Sequence, residues 1–203
     1  KETSNLINKF CLLFIMRYFP KKYADCILEY CLDSPYFLAI DNIIYSIAEL
    51  YSKDNKEKII KIIKLGILSK NKILQENACE LLLFLYAKKN LDFRYVVKIN
   101  NECPKIMIKY LIYYIKKCRN SKGIKKTIVN TLIKNSDCLE IYSCTIIESK
   151  ILDYNTDKKI ILKLIKSGNY AFCRNFISSL EKSNDLLKYY KLIFKLAKVI
   201  YKT

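Results

Sequence analysis

The chain is almost free of the residues that end helices. Its 203 residues include only three Gly and three Pro, and 52% of them are hydrophobic. So few turn residues leave little room for the hairpins of an all-β protein, and the composition is too apolar for a disordered chain. The sequence therefore predicts an all-α protein with long helices joined by short polar turns.

Short polar turns interrupt the apolar pattern at regular intervals. Neighbouring turns are separated by 15 to 17 residues in three places, which are Ser52 to Ser69, Ser121 to Ser136 and Ser167 to Ser183. Each interval holds one helix, and antiparallel helix pairs that cannot bury their apolar faces alone stack on one another. This rhythm predicts an α-solenoid of roughly 11–12 antiparallel helices, with residues 1–203 forming a single helical-repeat domain.

Local signals predict where several helices begin. Pro35 follows a capping serine, so a helix is expected from there to about residue 52 without a break. Asp54 and Glu57 have the spacing of a capping box for the next helix. Asn71 is predicted to cap the helix that runs over residues 73–88.

One helix pair resembles a known class of repeat. The segment Asn71 to Ala87 has a small residue, Ala78, followed by a leucine-rich seam, and it resembles the second helix of a HEAT or armadillo-type repeat. The helix Lys56 to Leu68 fits the position of the first helix of such a repeat. The second helix departs from the pattern at Gln75-Glu76, where such repeats often have Val-Arg. The resemblance is best over residues 56–88 and implies a fold, because these repeats serve many functions.

Residues 1–52 differ from the rest of the chain in charge and hydropathy. The first 50 residues hold five Lys and Arg against six Asp and Glu. Their apolar run from Phe10 to Met16 predicts a helix that is buried on most sides. Residues 1–52 are therefore expected to cap the solenoid or to bind a protein partner, whereas residues 53–203 form the basic repeats.

Positive charge is concentrated after the first quarter of the chain. The net charge is +18, and the 153 residues after position 50 hold 32 Lys and Arg against 13 Asp and Glu. The stretch from Cys103 to Ser136 has nine cations and no acidic residue. This asymmetry predicts a polyanionic partner, with nucleic acid ahead of an anionic membrane surface.

The lysine excess also has a compositional explanation. Only four of the 37 cations are Arg, and the chain is rich in Ile, Asn and Tyr, as an A/T-rich genome would produce. Codon bias accounts for the ratio of Lys to Arg. It accounts less well for the shortage of acidic residues, because the codons of Asp and Glu are not G/C-rich.

Several lysines recur at helical spacing and are predicted to align as a basic ridge along the stacked helices. In the last helix the steps between lysines are 3, 4, 3 and 4, which place them on one face. The predicted RNA-binding residues are Lys105, Lys109, Lys116, Lys117, Arg119, Lys122, Lys125, Lys126, Lys159, Lys163, Lys166, Lys188, Lys191, Lys195, Lys198 and Lys202. The scarcity of Arg predicts recognition of backbone and shape rather than of base sequence. Tyr110, Tyr113 and Tyr114 are candidates for stacking on bases, although tyrosine at this spacing is more typical of a core.

The sequence contains none of the usual catalytic motifs. It has no His and no Trp, no glycine-rich phosphate loop and no metal-ligand spacing, so no catalytic residue, metal or cofactor is predicted. The nine Cys form no C-x-x-C pair, which favours free thiols in the cytoplasm, with the nucleus as the alternative. The longest apolar runs are seven residues, far below the length of a membrane span. No small-molecule substrate is predicted.

The functional hypothesis is a non-enzymatic helical-repeat protein that docks its lysine ridge on structured RNA, in the ribosome or another ribonucleoprotein. Helical-repeat proteins of the interferon-related developmental regulator type, which block tRNA sites on idle ribosomes, are similar in character. That similarity implies a translation-silencing or ribosome-associated factor. Two alternatives stay open, a protein–protein scaffold or adaptor solenoid and a DNA-binding helical-repeat protein.

Overall fold

The computed structural model describes residues 2–40, 43–88, 90–117, 122–148, 151–152, 154–167, 169–182 and 187–201. These residues form twelve α-helices and two short 3₁₀ helices, and none of them forms a strand. The all-α prediction is therefore confirmed. Contacts divide the chain into two compact units, Lys1–Ile106 and Met107–Thr203, which we call unit 1 and unit 2. That residues 1–203 form one helical-repeat domain stays a prediction.

The helices of unit 1 pack on one another in pairs. Its α-helices are α1 (Glu2–Tyr18), α2 (Ala24–Asp33), α3 (Ile43–Glu49), α4 (Lys56–Leu68), α5 (Lys72–Ala87) and α6 (Phe93–Glu102), with a 3₁₀ helix at Pro35–Ala39. Helix α2 packs on α4, α3 packs on α5, and α4 and α5 pack on each other. The 3₁₀ helix touches α2, α3, α4 and α5 and so lies at the centre of the unit.

The closest approach in unit 1 is between α4 and α5. A Cβ atom added at Gly66 would lie 2.6 Å from the Cβ of Ala78 and 2.7 Å from Cδ1 of Leu38. Gly66 lies inside α4, and its missing side chain allows the small residue of the repeat-like segment to pack directly against the helix backbone. The side-chain amide of Asn77 donates a hydrogen bond to the carbonyl oxygen of Leu38, which ties α5 to the 3₁₀ helix.

Three local predictions have different outcomes in the structure. Asn71 caps α5 as predicted, because its Oδ1 accepts hydrogen bonds from the backbone N–H groups of Ile73 at 2.9 Å and Leu74 at 3.3 Å. The predicted capping box is wrong, since α4 is preceded by Asn55, whose side chain makes no capping hydrogen bond. The unbroken helix from Pro35 is also wrong, because the 3₁₀ helix ends where Ile40 adopts an extended conformation.

Five of the six α-helices of unit 2 pack in two rows. Its helices are α7 (Pro104–Lys117), which begins just before the boundary, α8 (Lys122–Lys134), α9 (Ser136–Glu148), α10 (Tyr154–Lys166), α11 (Tyr170–Lys182) and α12 (Tyr190–Ile200), with a 3₁₀ helix at Leu187–Tyr189. Helix α10 packs against both α8 and α12, which makes one row. Helices α9 and α11 pack on each other and form the second row, which contacts the first through α8, α10 and α12. Ser121 and Ser183, which mark two of the predicted turns, lie outside the described residues.

Candidate polyanion-binding surface

The first row of unit 2 presents lysines to solvent. Helices α8, α10 and α12 bury apolar side chains such as Ile128, Ile161 and Leu196, and the three helices contact α9 and α11 on one side. The exposed lysines therefore lie on the outside of the row. We call this set the lysine surface, and its members are Lys122, Lys126, Lys134, Lys158, Lys163, Lys166, Lys191, Lys195 and Lys198.

Charge is segregated between the two rows of unit 2. Helices α8, α10 and α12 contain eleven Lys and one acidic residue, Asp157. Helices α9 and α11 contain Arg174 and Lys182 against Asp137, Glu140, Glu148 and Glu181. Codon bias would raise the lysine content of both rows alike. The segregation therefore argues that the positive charge belongs to one surface.

The predicted site residues fall into three groups. Lys122, Lys126, Lys163, Lys166, Lys191, Lys195 and Lys198 belong to the lysine surface, and Lys125 lies beside them on α8 with intermediate exposure. Arg119 and Lys202 lie outside the described residues, and the side chains of Lys159 and Lys188 lie outside the described part of the structure. Lys134 and Lys158 also belong to the surface but were not among the predicted residues.

The lysines of α7 are exposed but are a separate group. Lys105, Lys109, Lys116 and Lys117 are exposed on that helix. No extensive contact joins α7 to α8, α10 or α12 among the described residues. The alignment of the α7 lysines with the lysine surface stays a prediction.

Many members of the lysine surface keep their full charge available. Lys122, Lys126, Lys163, Lys166 and Lys195 form no ion pair with any residue that the structure describes. An ammonium group that has no carboxylate neighbour can neutralise an external anion without first breaking an internal contact.

Aromatic side chains accompany lysines on both α7 and α12. The Nζ of Lys117 lies 4.5 Å from the ring centroid of Tyr113, which is exposed. Tyr110 and Tyr114 have intermediate exposure, so of the three candidate tyrosines only Tyr113 presents most of its ring to solvent. The sequence reasoning missed Tyr190 and Phe194, which are exposed on α12 beside Lys191 and Lys198. Only the face of the lysines was predicted for this helix.

A second surface feature lies on α1. The prediction that this helix is buried on most sides is wrong, because Phe10, Phe14 and Tyr18 are all more than half exposed. Leu12 and Met16 are buried, so the described part of α1, residues 10–18, docks through one narrow stripe. An apolar groove of about 730 Å³ runs along the exposed side and is lined by Phe10, Cys11, Leu13, Phe14, Ile15, Arg17 and Tyr18.

The remaining chemistry of the described residues is limited. Eight of the cysteines are free thiols, and burial raises the pKa of the Cys31 thiol to about 12. No group of three or more Cys, Asp and Glu side chains within the described ranges is arranged to hold a metal ion. None of the described helices has both the length and the apolar character that crossing a membrane requires.

Comparisons with known proteins identify no relative. No protein-family model matches this sequence, and no curated protein or solved structure matches it. The residues themselves, and the lysine surface above all, therefore carry the functional argument.

Proposed function

We propose that this chain is a non-enzymatic helical-repeat protein that binds structured RNA through the lysine surface of unit 2. The observation that supports the proposal is the segregation of eleven Lys and one Asp onto α8, α10 and α12, which pack as one row. A row of exposed ammonium groups on adjacent helices suits a polymer of regularly spaced phosphates better than it suits a single small anion.

The type of cation indicates the mode of recognition. All the cations on α8, α10 and α12 are Lys and none is Arg. Lysine acts as a strongly hydrated point charge rather than as a planar bidentate donor. Contacts of this kind position a phosphate backbone without reading bases. We therefore propose binding to backbone and shape in the ribosome or another ribonucleoprotein, as a translation-silencing or ribosome-associated factor in the cytoplasm, with the nucleus as the alternative.

The packing of both units supports a helical-repeat architecture. In unit 1, α2 packs on α4 and α3 on α5, and in unit 2, α9 packs on α11 while α10 packs between α8 and α12. Contacts between helices two positions apart along the chain are typical of α-solenoids and support this proposal. We propose that each unit is a short stack of HEAT or armadillo-like repeats.

The test is sedimentation of a native lysate on sucrose gradients at low and high salt, with and without RNase, following this protein. We expect the protein to sediment with ribosomes or other ribonucleoprotein particles at low salt. It should move to the top of the gradient as salt rises, because phosphate contacts are lost to competing counterions. Sedimentation that resists both RNase and salt, or a protein that stays at the top at low salt, would overturn the proposal. Release by DNase rather than RNase would instead support the DNA-binding alternative.

A protein–protein scaffold is the second candidate function, and the apolar groove on α1 favours it. Exposed aromatic residues in a contiguous patch are typical of surfaces that bind another protein. The groove lies in the near-neutral first part of the chain, which is the part expected to bind a partner. A Phe10→Asp/Phe14→Asp variant should lose partner proteins and keep RNA if both functions are present. A loss of co-purifying RNA in that variant, with the fold intact, would contradict this separation.

A further inference from the structure

Helix α12 has a row of exposed rings beside its lysines. Tyr190 is 62% exposed, Phe194 is 67% exposed, and Tyr201 in the turn that follows the helix is 89% exposed. At 3.6 residues per turn these three positions lie within about 40° of one another around the helix axis. We call them the aromatic stripe. Rings of this size are seldom left so exposed at three positions on one face of a helix.

The aromatic stripe and the lysines of α12 form two adjacent bands. Lys191, Lys195 and Lys198 lie about 90° around the helix from the rings, between the rings and the buried face that holds Leu192 and Leu196. The Nζ of Lys191 is 5.8 Å from the ring centroid of Tyr190, and the Nζ of Lys198 is 5.2 Å from that of Phe194. Each of these rings therefore has a cation within reach of its face. No Asp or Glu occurs in residues 186–203.

We propose that the aromatic stripe stacks on unpaired nucleobases while the adjacent lysines hold their phosphates. This inference rests on the proposed RNA binding and specifies the kind of RNA that unit 2 binds. A ring beside an ammonium group matches a nucleotide, which has a flat base attached to a charged phosphate. In a duplex the base faces are covered by their neighbours, so only a single-stranded segment can use both bands of α12.

Two other occupants fit the same helix less well. A membrane surface binds in proportion to the apolar area inserted, but the aliphatic side chains Leu192 and Leu196 are buried in unit 2, and beside the rings only Leu187 is a strongly exposed large aliphatic residue among the described side chains of this segment. A second copy of the chain would bring two sets of like charges together. Binding of a single-stranded nucleic acid uses the rings and the lysines together and brings no like charges close to each other.

The test measures binding of the full-length chain to three fluorescent probes of equal length by anisotropy. The probes are an unstructured oligouridylate, a fully paired RNA duplex, and a single strand that carries abasic sites along the same phosphate backbone. The variant is Tyr190→Leu/Phe194→Leu/Tyr201→Leu, which keeps apolar bulk and net charge and removes only the rings. Its matched control is Phe10→Leu/Phe14→Leu/Tyr36→Leu, which removes three exposed rings of unit 1.

We expect the variant to bind the oligouridylate about ten-fold more weakly for each base that stacks. Its affinity for the duplex and for the abasic strand should stay within about two-fold of the wild type, since the lysines are intact. The control should bind all three probes like the wild type. Circular dichroism melts of each variant show that the fold is retained.

The inference and the proposed function fail in different ways. Equal, salt-dependent binding of the oligouridylate by wild type and variant would overturn the stacking role and leave RNA binding standing. Absence of salt-dependent binding to all three probes by the wild type would overturn both. Ring-dependent binding to vesicles of phosphatidylserine and phosphatidylcholine without binding to RNA, or a dimer that the ring variant abolishes, would assign α12 to a membrane or to a second copy instead.

Discussion

The two units use the same abundant residue, lysine, in opposite ways. In unit 1, Lys58 of α4 donates hydrogen bonds to Asp25 at 2.8 Å and to Glu29 at 3.2 Å on α2, and Lys64 pairs with Glu102 on α6. The Lys58 contacts link α4 to α2, on which it packs, and the Lys64 pair links α4 to α6. In unit 2, Lys126, Lys163 and Lys195 lie on three packed helices and form no ion pair with a described residue.

The difference follows from where the acidic residues lie. Residues 1–106 hold 17 Lys and Arg against 12 Asp and Glu, whereas residues 107–203 hold 20 against 7. In unit 1 the acids are on helices adjacent to the lysines. In unit 2 most of them are on the row opposite the lysines. Net charge alone therefore does not identify a binding surface, and the placement of the counter-charges does.

If the two units differ in surface charge but not in packing, their buried thiols should be equally protected from alkylation. On α2, Cys26 is exposed and Cys31 is buried, and on α9, Cys144 is exposed and Cys138 is buried. Burial raises the pKa of the Cys31 thiol from 9.0 to about 12, which lowers its thiolate fraction about 1,000-fold. We expect iodoacetamide at pH 8 to label Cys26 and Cys144 rapidly and to leave Cys31 and Cys138 unlabelled, as read by mass spectrometry. Rapid labelling of Cys138 would show that unit 2 has a looser core.

The same raised pKa of Cys31 has a consequence for stability. The thiol ionises near pH 9.0 when the chain is unfolded and near pH 12 when it is folded. The contribution of this buried thiol to the free energy of unfolding is therefore complete below pH 9. It decreases as the pH rises from 9 towards 12, because only the unfolded chain loses the proton in this interval. Cys31→Val has no proton to lose at this site, so its urea midpoint should decline less steeply over that interval than that of the wild type.

Reversing charge on the lysine surface should have a large effect on RNA binding. Lys126→Glu/Lys163→Glu/Lys195→Glu changes one lysine on each helix of the row. Three lost phosphate contacts should weaken binding roughly 100-fold at moderate salt and reduce the slope of log K against log salt by about 2 to 3. Fluorescence anisotropy over a salt series measures both quantities.

The matched control makes the same change in charge on unit 1. Lys61→Glu/Lys70→Glu/Lys98→Glu replaces three exposed lysines that form no ion pair with a described residue. We expect a small decrease in affinity from long-range repulsion alone. Equal losses in the two variants would show that RNA responds to net charge, and the contrast between the units would then have no functional meaning.

Filling the space at Gly66 tests the packing of unit 1 separately from its charge. Gly66→Ala gains helix propensity, but its Cβ would overlap the Cβ of Ala78 at 2.6 Å and force α4 away from α5. We expect a net loss of about 1–3 kcal/mol in the free energy of unfolding, measured by urea denaturation. Adding Ala78→Gly removes one of the overlapping groups and should restore part of the loss. Additive effects of the two substitutions would contradict this account of the contact.

The sequence predicted those features that depend on local pattern. The scarcity of Gly and Pro was sufficient for the all-α fold, and Asn71 identified its own helix start because an N-cap depends on the next three residues alone. The segregation of charge between rows could not be predicted. It depends on which helices pack together, and the spacing of lysines within α8 or α12 contains no information about α10.

The exposed rings of α1 and α12 were not predicted. The apolar run of α1 was assigned to a buried helix because its side chains are hydrophobic, and for α12 only the face of the lysines was predicted. The structure leaves Phe10, Phe14 and Phe194 exposed. Periodicity shows which residues share a face of a helix, but only the tertiary contacts show whether another element covers that face.

The smallest expected effect concerns the ion pairs of unit 1, whose lysines contrast with those of the lysine surface. The hydrogen bonds that Lys58 donates to Asp25 and Glu29 raise the pKa of Lys58, so the lysine is held in its charged form when the chain is folded. Lys58→Met keeps the aliphatic stem and removes the charge, and we expect a small decrease in the thermal midpoint because exposed ion pairs contribute little. Lys61→Met, on the same helix, should cause no decrease, and 1 M salt should reduce the difference between the two variants.

Neither variant should alter RNA affinity measurably, because a lysine engaged with two carboxylates offers little net charge to a phosphate. A loss of RNA affinity in Lys58→Met as large as that in Lys126→Met would contradict the contrast between the units, since the ion-paired lysines of unit 1 would then also contact the polyanion.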